Sequence, residues 1–300
     1  MSKMIKLAIL GIENSHSYLF SSVVSPKEGP KMFDDLEVIG VYGDQSIPAY
    51  QESKEELLTR STVSVFADDK DAFLDEADAV MVTACDGANH LKYAENYIKK
   101  GIPVWIDKPI TRSVEDAVKM VELADKYGAV LSGGSSLEFN PIVERFAKRY
   151  KECVENDIVI FGGNITAPVN FDNTYGGFWF YTQHLVGMMT TVFGVDVKSV
   201  RAMKHPGGVY ALYQYEKFAV TAFYGAGYSV SLYTGQGSEA EGFGLHKGFH
   251  IPEIKTFYEV IKTGKSDKTA REFVAPVYIL DATIRAYETN KEVTIDIPFK

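Results

Sequence analysis

Residues 77–111, which read ADAVMVTACDGANHLKYAENYIKKGIPVWIDKPIT, decide the fold of this chain. An apolar run is followed by a polar turn, an amphipathic segment, a glycine and a second apolar run, and the pattern ends at Asp107, Lys108 and Pro109. Short apolar runs predict buried strands, and apolar residues spaced three and four apart predict a helix. The stretch therefore predicts one β-α-β unit whose helix ends at Gly101.

The N-terminal half repeats this alternation. Asn14 or Ser15 can cap a first helix, Ser113 with Asp116 forms a box-like start of another, and Gly128 ends it. Outside residues 77–111, strands are predicted at residues 4–10, 36–42, 63–66 and 129–132, and further helices at residues 47–60 and 69–76. Six short strands alternating with helices predict a Rossmann-type, doubly wound parallel sheet over residues 1–133, and so an α/β fold class.

The C-terminal half, residues 134–300, has a different pattern. Its β-type runs lie at residues 158–166, 197–202, 208–215, 217–224, 228–233 and 293–297, and its helices at residues 140–151, 178–194, 252–263 and 276–289. Consecutive strands at hairpin-like spacing predict an α+β domain with an open, mainly antiparallel sheet that has helices on one face. We expect a second copy of the chain to cover the other face, giving a homodimer or homotetramer. The residues expected on that face are Tyr210, Leu212, Tyr213, Phe218, Val220, Phe223 and Tyr224.

The composition excludes several classes of function. A length of 300 residues favours two domains, and a net charge of −9 with scattered basic residues makes nucleic acid an unexpected partner. Only Cys85 and Cys153 are present, so we expect neither a disulfide framework nor a metal site, and a reducing cytoplasm is the expected location. No apolar run is long enough for a membrane span, and the first apolar run breaks at Gly11 and Glu13, which favours a strand over a signal peptide.

Ligands of open parallel sheets collect outside the carboxyl ends of the strands. The turn at residues 83–90 and the step at residues 107–109 are therefore expected on one rim, which makes Lys108 a candidate for chemistry. Its ammonium group can hold the charge of an alkoxide that develops when an alcohol is oxidised. The structural alternative is a solvated strand end.

The turn after the first strand reads GIENSHS. A dinucleotide fingerprint has three glycines here, for a tight turn, for close approach of the pyrophosphate and for helix packing. Only Gly11 is present, and Glu13 and His16 stand at the other two positions. His16 or the amides of the helix N-terminus can still hold a phosphate, and a purely structural turn is the alternative.

Asp44 follows the second strand, where an acidic residue can accept hydrogen bonds from ribose hydroxyls. No Lys or Arg lies within residues 43–50, so NAD is favoured over NADP as the cofactor. A turn aspartate is the alternative interpretation.

His184 lies in the most aromatic stretch of the chain, and a histidine titrates near neutral pH, which suits it to accept a hydroxyl proton. Tyr175, Trp179 and Tyr181 can form a wall for a sugar-like ligand. Core packing explains the three aromatic residues equally well, and a satisfied core histidine is the alternative for His184. His246 and His250 are four residues apart, but Gly248 separates them and no carboxylate motif accompanies them, so no zinc site is expected.

Together, residues 77–111, SSLEFNP (residues 135–141), GGFWFYTQH (residues 176–184) and PEIKTFYEVIKTG (residues 252–264) resemble the glucose-fructose oxidoreductase / inositol dehydrogenase (Gfo/Idh/MocA) family over essentially the whole chain. The resemblance implies a nicotinamide cofactor and oxidation or reduction of a sugar, a polyol or a related hydroxyl compound. It implies that Lys108 and His184 are catalytic, and that Asn89 and His90 lie near the nicotinamide.

The residues assigned to cofactor binding are Gly11, Ile12, Glu13, Asn14, Ser15, His16, Asp44, Thr83, Ala84, Cys85, Asn89, His90, Asp107, Lys108 and Pro109. Those assigned to the substrate are Lys108, Tyr175, Trp179, Tyr181 and His184. Beyond the glycine loop, the chain departs from the family pattern at Asp107, where Glu is usual, at Phe180, where Asp is frequent, and at Glu138, where Arg is frequent.

Three hypotheses follow. The first is an NAD-dependent oxidoreductase for a sugar-like hydroxyl or carbonyl group. The second is a non-catalytic family member that senses or binds a sugar or nucleotide, and Glu13 and Phe180 motivate it. The third is an enzyme of this fold that binds a different anion at residues 11–16.

Overall fold

The computed structural model of the protein describes residues 3–299, and the chain divides into two compact units. The first contains the residues up to Gly133 together with His250–Lys268, and the second contains Gly134–Phe249 together with the residues from Thr269 onward. The sequence-based division placed residues 250–268 in the C-terminal domain. In the structure they join the first unit, where Tyr258 and Lys262 donate to the Asp35 carboxylate at 2.6 and 2.8 Å.

Strands and helices alternate through the N-terminal part of the first unit. In chain order, the strands of both units are β1 Ile5–Leu10, β2 Leu36–Tyr42, β3 Phe66–Ala67, β4 Ala79–Val82, β5 Val104–Asp107, β6 Leu131–Gly134, β7 Ile160–Ala167, β8 Ser199–His205, β9 Gly208–Gln214, β10 Ala219–Tyr224, β11 Tyr228–Thr234, β12 Gly237–Phe243 and β13 Val293–Thr294. The α-helices are α1 Ser15–Val24, α2 Ala49–Arg60, α3 His90–Lys99, α4 Val114–Tyr127, α5 Pro141–Glu155, α6 Trp179–Phe193, α7 Ile251–Thr263 and α8 Ala270–Thr289.

The sheet of the first unit has the order β3-β2-β1-β4-β5-β6. Strand β1 pairs in parallel with β2 on one side and with β4 on the other. The strand order therefore reverses beside β1, and the carboxyl ends of β1 and β4 form the edge at which open α/β sheets bind ligands. This is the doubly wound sheet predicted from the sequence.

Helix starts in the first unit follow the predicted capping. The Asn14 side chain accepts from the backbone N–H of His16, and the Ser113 side chain accepts from the N–H of Asp116. Helix α4 ends at Gly128, whose φ of +71° lies in the left-handed region that glycine adopts without a side-chain clash. Local sequence therefore sets where these helices begin and end.

Two local predictions in this unit are wrong. Residues 69–76 form successive turns and no helix, with hydrogen bonds from Ala72 N–H to Asp69 O and from Leu74 N–H to Asp71 O. The Asp69 carboxylate accepts from the Asp71 N–H at 2.9 Å, and such local side-chain bonds compete with helix formation. The strand predicted at residues 63–66 lies at Phe66–Ala67.

Two elements of the second unit also differ from prediction. Helix α8 begins at Ala270, ahead of Pro276, because Thr269 and Glu272 form a capping box. Strand β12 was not predicted, since its sequence, GSEAEGF, is polar and largely exposed. Within residues 3–299 it lies at the edge of the sheet and pairs only with β11, a position where polar residues protect an open edge.

The second sheet has the order β12-β11-β7-β10-β9-β8-β13. Its neighbours pair antiparallel except β7 and β10, which are parallel. The predicted open, mainly antiparallel sheet is confirmed.

Some of the residues expected on the uncovered face of this sheet are buried instead, because side chains alternate between the two faces of a strand. Tyr213, Val220 and Tyr224 are fully buried, whereas Tyr210 and Leu212 are 50% and 42% exposed. Successive residues of a strand point to opposite faces, so one run of sequence supplies both the core and the open face. Among residues 3–299, no helix is long and apolar enough to cross a membrane.

Candidate functional site

Gly11 holds the loop after β1 against the end of β4. Its N–H donates to Tyr42 O at 2.7 Å, and its carbonyl oxygen accepts from Thr83 Oγ1 at 2.8 Å. Its φ is +86°, and a Cβ atom there would lie 2.4 Å from the Ala84 backbone nitrogen. Because no other residue fits without a shift, the first glycine of the fingerprint has the tight-turn role that the motif requires.

Glu13 occupies the position of the second fingerprint glycine, and its side chain is 1% exposed. Neither carboxylate oxygen has a hydrogen-bond partner among the residues that the structure describes. Burial, together with the negative charges of Asp44 and Asp86, raises the pKa of Glu13 to about 7, against the opposing effect of the nearby backbone N–H groups of Glu13 and Cys85. The Glu13 carboxyl group is therefore close to half protonated at neutral pH.

The start of α1 is tied to the end of β5 by Asp107. The Asp107 Oδ2 atom lies 2.8 Å from His16 Nδ1 and accepts from Asn14 Nδ2 at 3.3 Å. Burial by itself would raise the pKa of Asp107, but His16 and Lys108 more than offset it and hold the pKa below its usual range. Asp107 therefore stays ionised inside the fold. Ser15, next to these residues, is exposed.

Glu253 on α7 joins this buried polar group. His16, Asp107 and Glu253 offer ligand-type atoms that all lie within 4.8 Å of one another, and all three side chains are buried. Burial and the neighbouring His16 lower the pKa of His250, which precedes α7, to about 4, so the His250 ring is neutral. The sequence prediction that the chain has no metal site stays a prediction.

Lys108 follows β5 directly and is nearly buried, with 6% of the residue exposed. Its backbone N–H donates to Asp107 Oδ1 at 2.8 Å, and the Lys108–Pro109 peptide bond is cis. Its positive charge helps to lower the pKa of Asp107 and acts in the same direction on Cys85. The lysine charge therefore lies at the carboxyl ends of β4 and β5, the rim on which it was predicted.

The turn that follows β4 lies at the same edge of the sheet as Lys108. Thr83 and Ala84 are fully buried, and the Cys85 thiol donates to Glu13 O at 2.8 Å. Burial raises the pKa of Cys85 to about 12, so the thiol stays protonated as a hydrogen-bond donor. Asp86 caps the short 3₁₀ helix Gly87–Asn89 and pairs with Arg112.

His90 is fully buried, and both of its ring nitrogens lie against backbone carbonyls. The distances are 3.1 Å from Nδ1 to Ile110 O and 2.9 Å from Nε2 to Ala84 O. Burial lowers the pKa of His90, so the ring is neutral and donates to one of these oxygens. His90 links the ends of β4 and β5, and its position near the nicotinamide stays a prediction.

Asp44 stands half-buried after β2, where the sequence predicted it. One carboxylate oxygen accepts from the Ser46 N–H at 2.9 Å and from Ser46 Oγ at 2.7 Å, and these bonds lower the pKa of Asp44. Lys92 on α3 adds a favourable positive charge. The sequence window around Asp44 contains no such cation, so Lys92 is a residue that sequence reasoning missed.

In the second unit, His184 on α6 is held by Ser135. The Ser135 Oγ atom lies 2.7 Å from His184 Nδ1 and also accepts from the Leu137 N–H at 3.2 Å. Ser135 is fixed in turn by a capping box, in which its N–H donates to Glu138 Oε1 at 2.9 Å. The Ser-x-x-Glu pattern was available in the sequence, but the contact of Ser135 with a histidine 49 positions away was not.

Aromatic rings lead along the start of α6 to His184. Phe180 lies between Tyr175 and Tyr181, with ring centroids 5.0 and 5.2 Å apart, and the Tyr181 ring lies 5.3 Å from the His184 ring. Trp179, Tyr175 and Tyr181 are half-buried. The aromatic cluster therefore includes Phe180, whose side chain has no hydrogen-bonding group.

Comparison with known proteins matches the N-terminal part of the chain to the model of a protein family. Residues 6–135 match the model of GFO_IDH_MocA, an oxidoreductase family with an NAD-binding Rossmann fold. The predicted resemblance to the Gfo/Idh/MocA family is confirmed. No protein among curated sequences is detectably similar to this chain.

Solved structures extend the likeness in fold over nearly the whole chain. The scyllo-inositol dehydrogenase of Lactobacillus casei, solved with NAD(H) and scyllo-inositol, is 16% identical with a TM-score of 0.78, over 97% of this chain and 99% of that one. The myo-inositol dehydrogenase of the same organism, solved with NAD(H) and myo-inositol, is 11% identical with a TM-score of 0.80, over 99% and 98%. A probable dehydrogenase from Thermotoga maritima is 17% identical with a TM-score of 0.72, over 97% and 98%. At these identities the likenesses show the Gfo/Idh/MocA fold.

Proposed function

We propose that this chain is an NAD-dependent oxidoreductase that acts on a hydroxyl or carbonyl group of a sugar, a polyol or a related compound. The observation that carries the proposal is the position of Lys108, a nearly buried cation beside the ionised Asp107, at the ligand-binding edge of the sheet. A buried lysine charge at this edge is well placed to stabilise an alkoxide in a site from which water is excluded.

The residues around the β1 loop fit a dinucleotide. Gly11 gives the tight turn, the amides at the start of α1 suit a pyrophosphate, and Asp44 suits ribose hydroxyls. The buried Glu13 carboxyl, which lacks a partner among the described residues, is a further group that a ligand can satisfy. A nicotinamide dinucleotide, when bound, supplies hydride transfer.

Proton transfer falls to His184 in this proposal. The Ser135 hydroxyl group forms a hydrogen bond with His184 Nδ1 in either tautomer of the imidazole ring. We therefore assign His184 Nε2 as the atom that exchanges a proton with the hydroxyl group of the substrate. The ammonium group of Lys108 is assigned to hold the charge of the alkoxide. Tyr175, Trp179 and Tyr181 are the proposed walls of the substrate site, and the sugar-like substrate stays a proposal.

The second candidate is a binding protein without hydride transfer. Glu13 favours this candidate because it places a carboxyl group in the loop where a phosphate would bind. Phe180 also favours it, because an apolar ring lies beside Tyr181, next to His184. A third candidate binds another anion at residues 11–16.

Calorimetric titration with NAD, NADH, NADP and NADPH separates these candidates. We expect saturable binding of NADH at submillimolar concentration, and an Asp44→Ala variant that binds it about tenfold more weakly, since one hydrogen bond to a charged group contributes about 1.5 kcal/mol. Lys92→Ala should leave NADH affinity unchanged and lower any NADPH affinity. Failure of all four dinucleotides to bind at millimolar concentration would sink the oxidoreductase proposal.

We further propose a homo-oligomer formed through the open face of the second sheet, where Tyr210, Leu212 and Met203 are exposed. Size exclusion with light scattering should show a dimer or tetramer at micromolar concentration, and Leu212→Arg should shift it toward monomer. A strict monomer would contradict the proposal. The cytoplasmic location rests on the cysteine content and stays a prediction.

A further inference from the structure

Glu13 lies in the loop after β1 at the second fingerprint position, where it is 1% exposed and neither carboxylate oxygen has a hydrogen-bond partner among the described residues. The titratable groups that act on it or feel its charge are Asp44 and Tyr42 at the end of β2, Cys85 and Asp86 after β4, and Tyr93 on α3. Hydrogen bonds from Ser46 lower the pKa of Asp44 and keep it ionised, whereas burial keeps the Cys85 thiol protonated and also raises the pKa of Tyr93. The backbone N–H groups of Glu13 and Cys85 favour the ionised form of Glu13, but burial and the nearby negative charges outweigh them.

A bound pyrophosphate would add further negative charge beside this carboxyl group. An ionised Glu13 would repel it, and the repulsion is strong because the group is shielded from water. A protonated Glu13 has the opposite effect, since its O–H is a hydrogen-bond donor and a phosphate oxygen is a strong acceptor. The Glu13 side chain therefore opposes pyrophosphate binding when it is ionised and supports binding when it is protonated.

We propose that Glu13 is a cofactor-binding residue that acts as a neutral hydrogen-bond donor to the pyrophosphate, so that the dinucleotide binds together with one proton. The proton comes from solvent and stays on the Glu13 carboxyl group. This inference rests on the proposed function, because it concerns the same β1 loop and the same ligand.

Proton-linked binding has a measurable pH dependence. The pKa of Glu13 is about 7 without a ligand, and the negative charge of a bound phosphate would raise it further. The dissociation constant of NADH should therefore be nearly constant below pH 6 and rise about tenfold per pH unit above pH 7. Between pH 6 and pH 9 the expected increase is about a hundredfold.

The experiment measures NADH binding to the full chain by fluorescence and calorimetry at pH 6, 7, 8 and 9. At pH 8, titrations in two buffers of different ionisation enthalpy should show uptake of nearly one proton per NADH. Glu13→Gln, which is always neutral, should bind NADH with little pH dependence over this range. Glu13→Gly restores the fingerprint residue and provides a second variant if the glutamine variant does not fold. Glu122→Gln, at an exposed position on α4, is the control and should keep the wild-type profile.

The outcomes separate this inference from the proposed function. If the wild type binds NADH equally well at pH 6 and pH 9, or if Glu13→Gln keeps the wild-type slope, the proton-donor role is overturned and dinucleotide binding stands. If NADH binds more tightly as the pH rises, Glu13 acts as an ionised acceptor and the inference is wrong. If no dinucleotide binds even at pH 6, the proton-donor role of Glu13 and the proposed oxidoreductase function are both contradicted.

Discussion

Replacing Lys108 with alanine is expected to lower kcat by roughly two to four powers of ten, the range that general acid–base and electrostatic groups contribute. The reason is that Lys108 is the nearly buried cation at the carboxyl end of β5, where the charge of an alkoxide would develop. Affinity for NADH should change by less than about tenfold, because the loop after β1 is left intact.

The measurement is steady-state oxidation followed by NADH absorbance, with candidate polyols as substrates. The bound inositols of the structural neighbours make scyllo-inositol and myo-inositol the first to try. Lys126→Ala, at an exposed lysine in the last turn of α4, is the matched control and should keep the wild-type rate. A Lys108→Ala enzyme that turns over at the wild-type rate would remove Lys108 from the mechanism.

The second large effect concerns stability. Glu13→Gln should raise the free energy of unfolding by about 3 kcal/mol at pH 8 and by only about 1 kcal/mol at pH 5, since one pKa unit corresponds to about 1.4 kcal/mol. The folded state holds the pKa of Glu13 at about 7, above the value of 4.5 for a free glutamate. The folded protein therefore binds the proton more tightly than the unfolded chain does, and stability is lost as the pH rises from about 4.5 through 7. Glutamine removes that loss because it cannot ionise.

Urea unfolding of the wild type and the variant at pH 5 and pH 8 measures the effect. Glu122→Gln serves again as the control, with no pH-dependent difference expected. An equal stability change for Glu13→Gln at both pH values would mean that Glu13 is ionised in the fold without penalty. That result would also argue against its role as a proton donor.

Residues 77–111 illustrate what sequence patterns predict well. The strand, helix and second strand of this stretch are present as β4, α3 and β5, and the glycine between them, Gly101, has a positive φ. Apolar spacing and capping residues act over a few positions of the chain, so they are visible in the sequence. The helix predicted from local sequence at residues 69–76 is absent. There the Asp69 carboxylate accepts from the backbone N–H of Asp71, and the segment forms turns.

The sequence by itself determined the fold class, the rim on which Lys108 lies and the damaged glycine loop. Only the tertiary structure decided what surrounds these residues: Glu253 beside His16 and Asp107, Lys92 near Asp44, and Ser135 at His184. These partners come from separate elements, and their approach depends on how helices pack on the sheets. Burial is likewise a property of the folded chain, and it raises the pKa of the Glu13 carboxyl group to about 7.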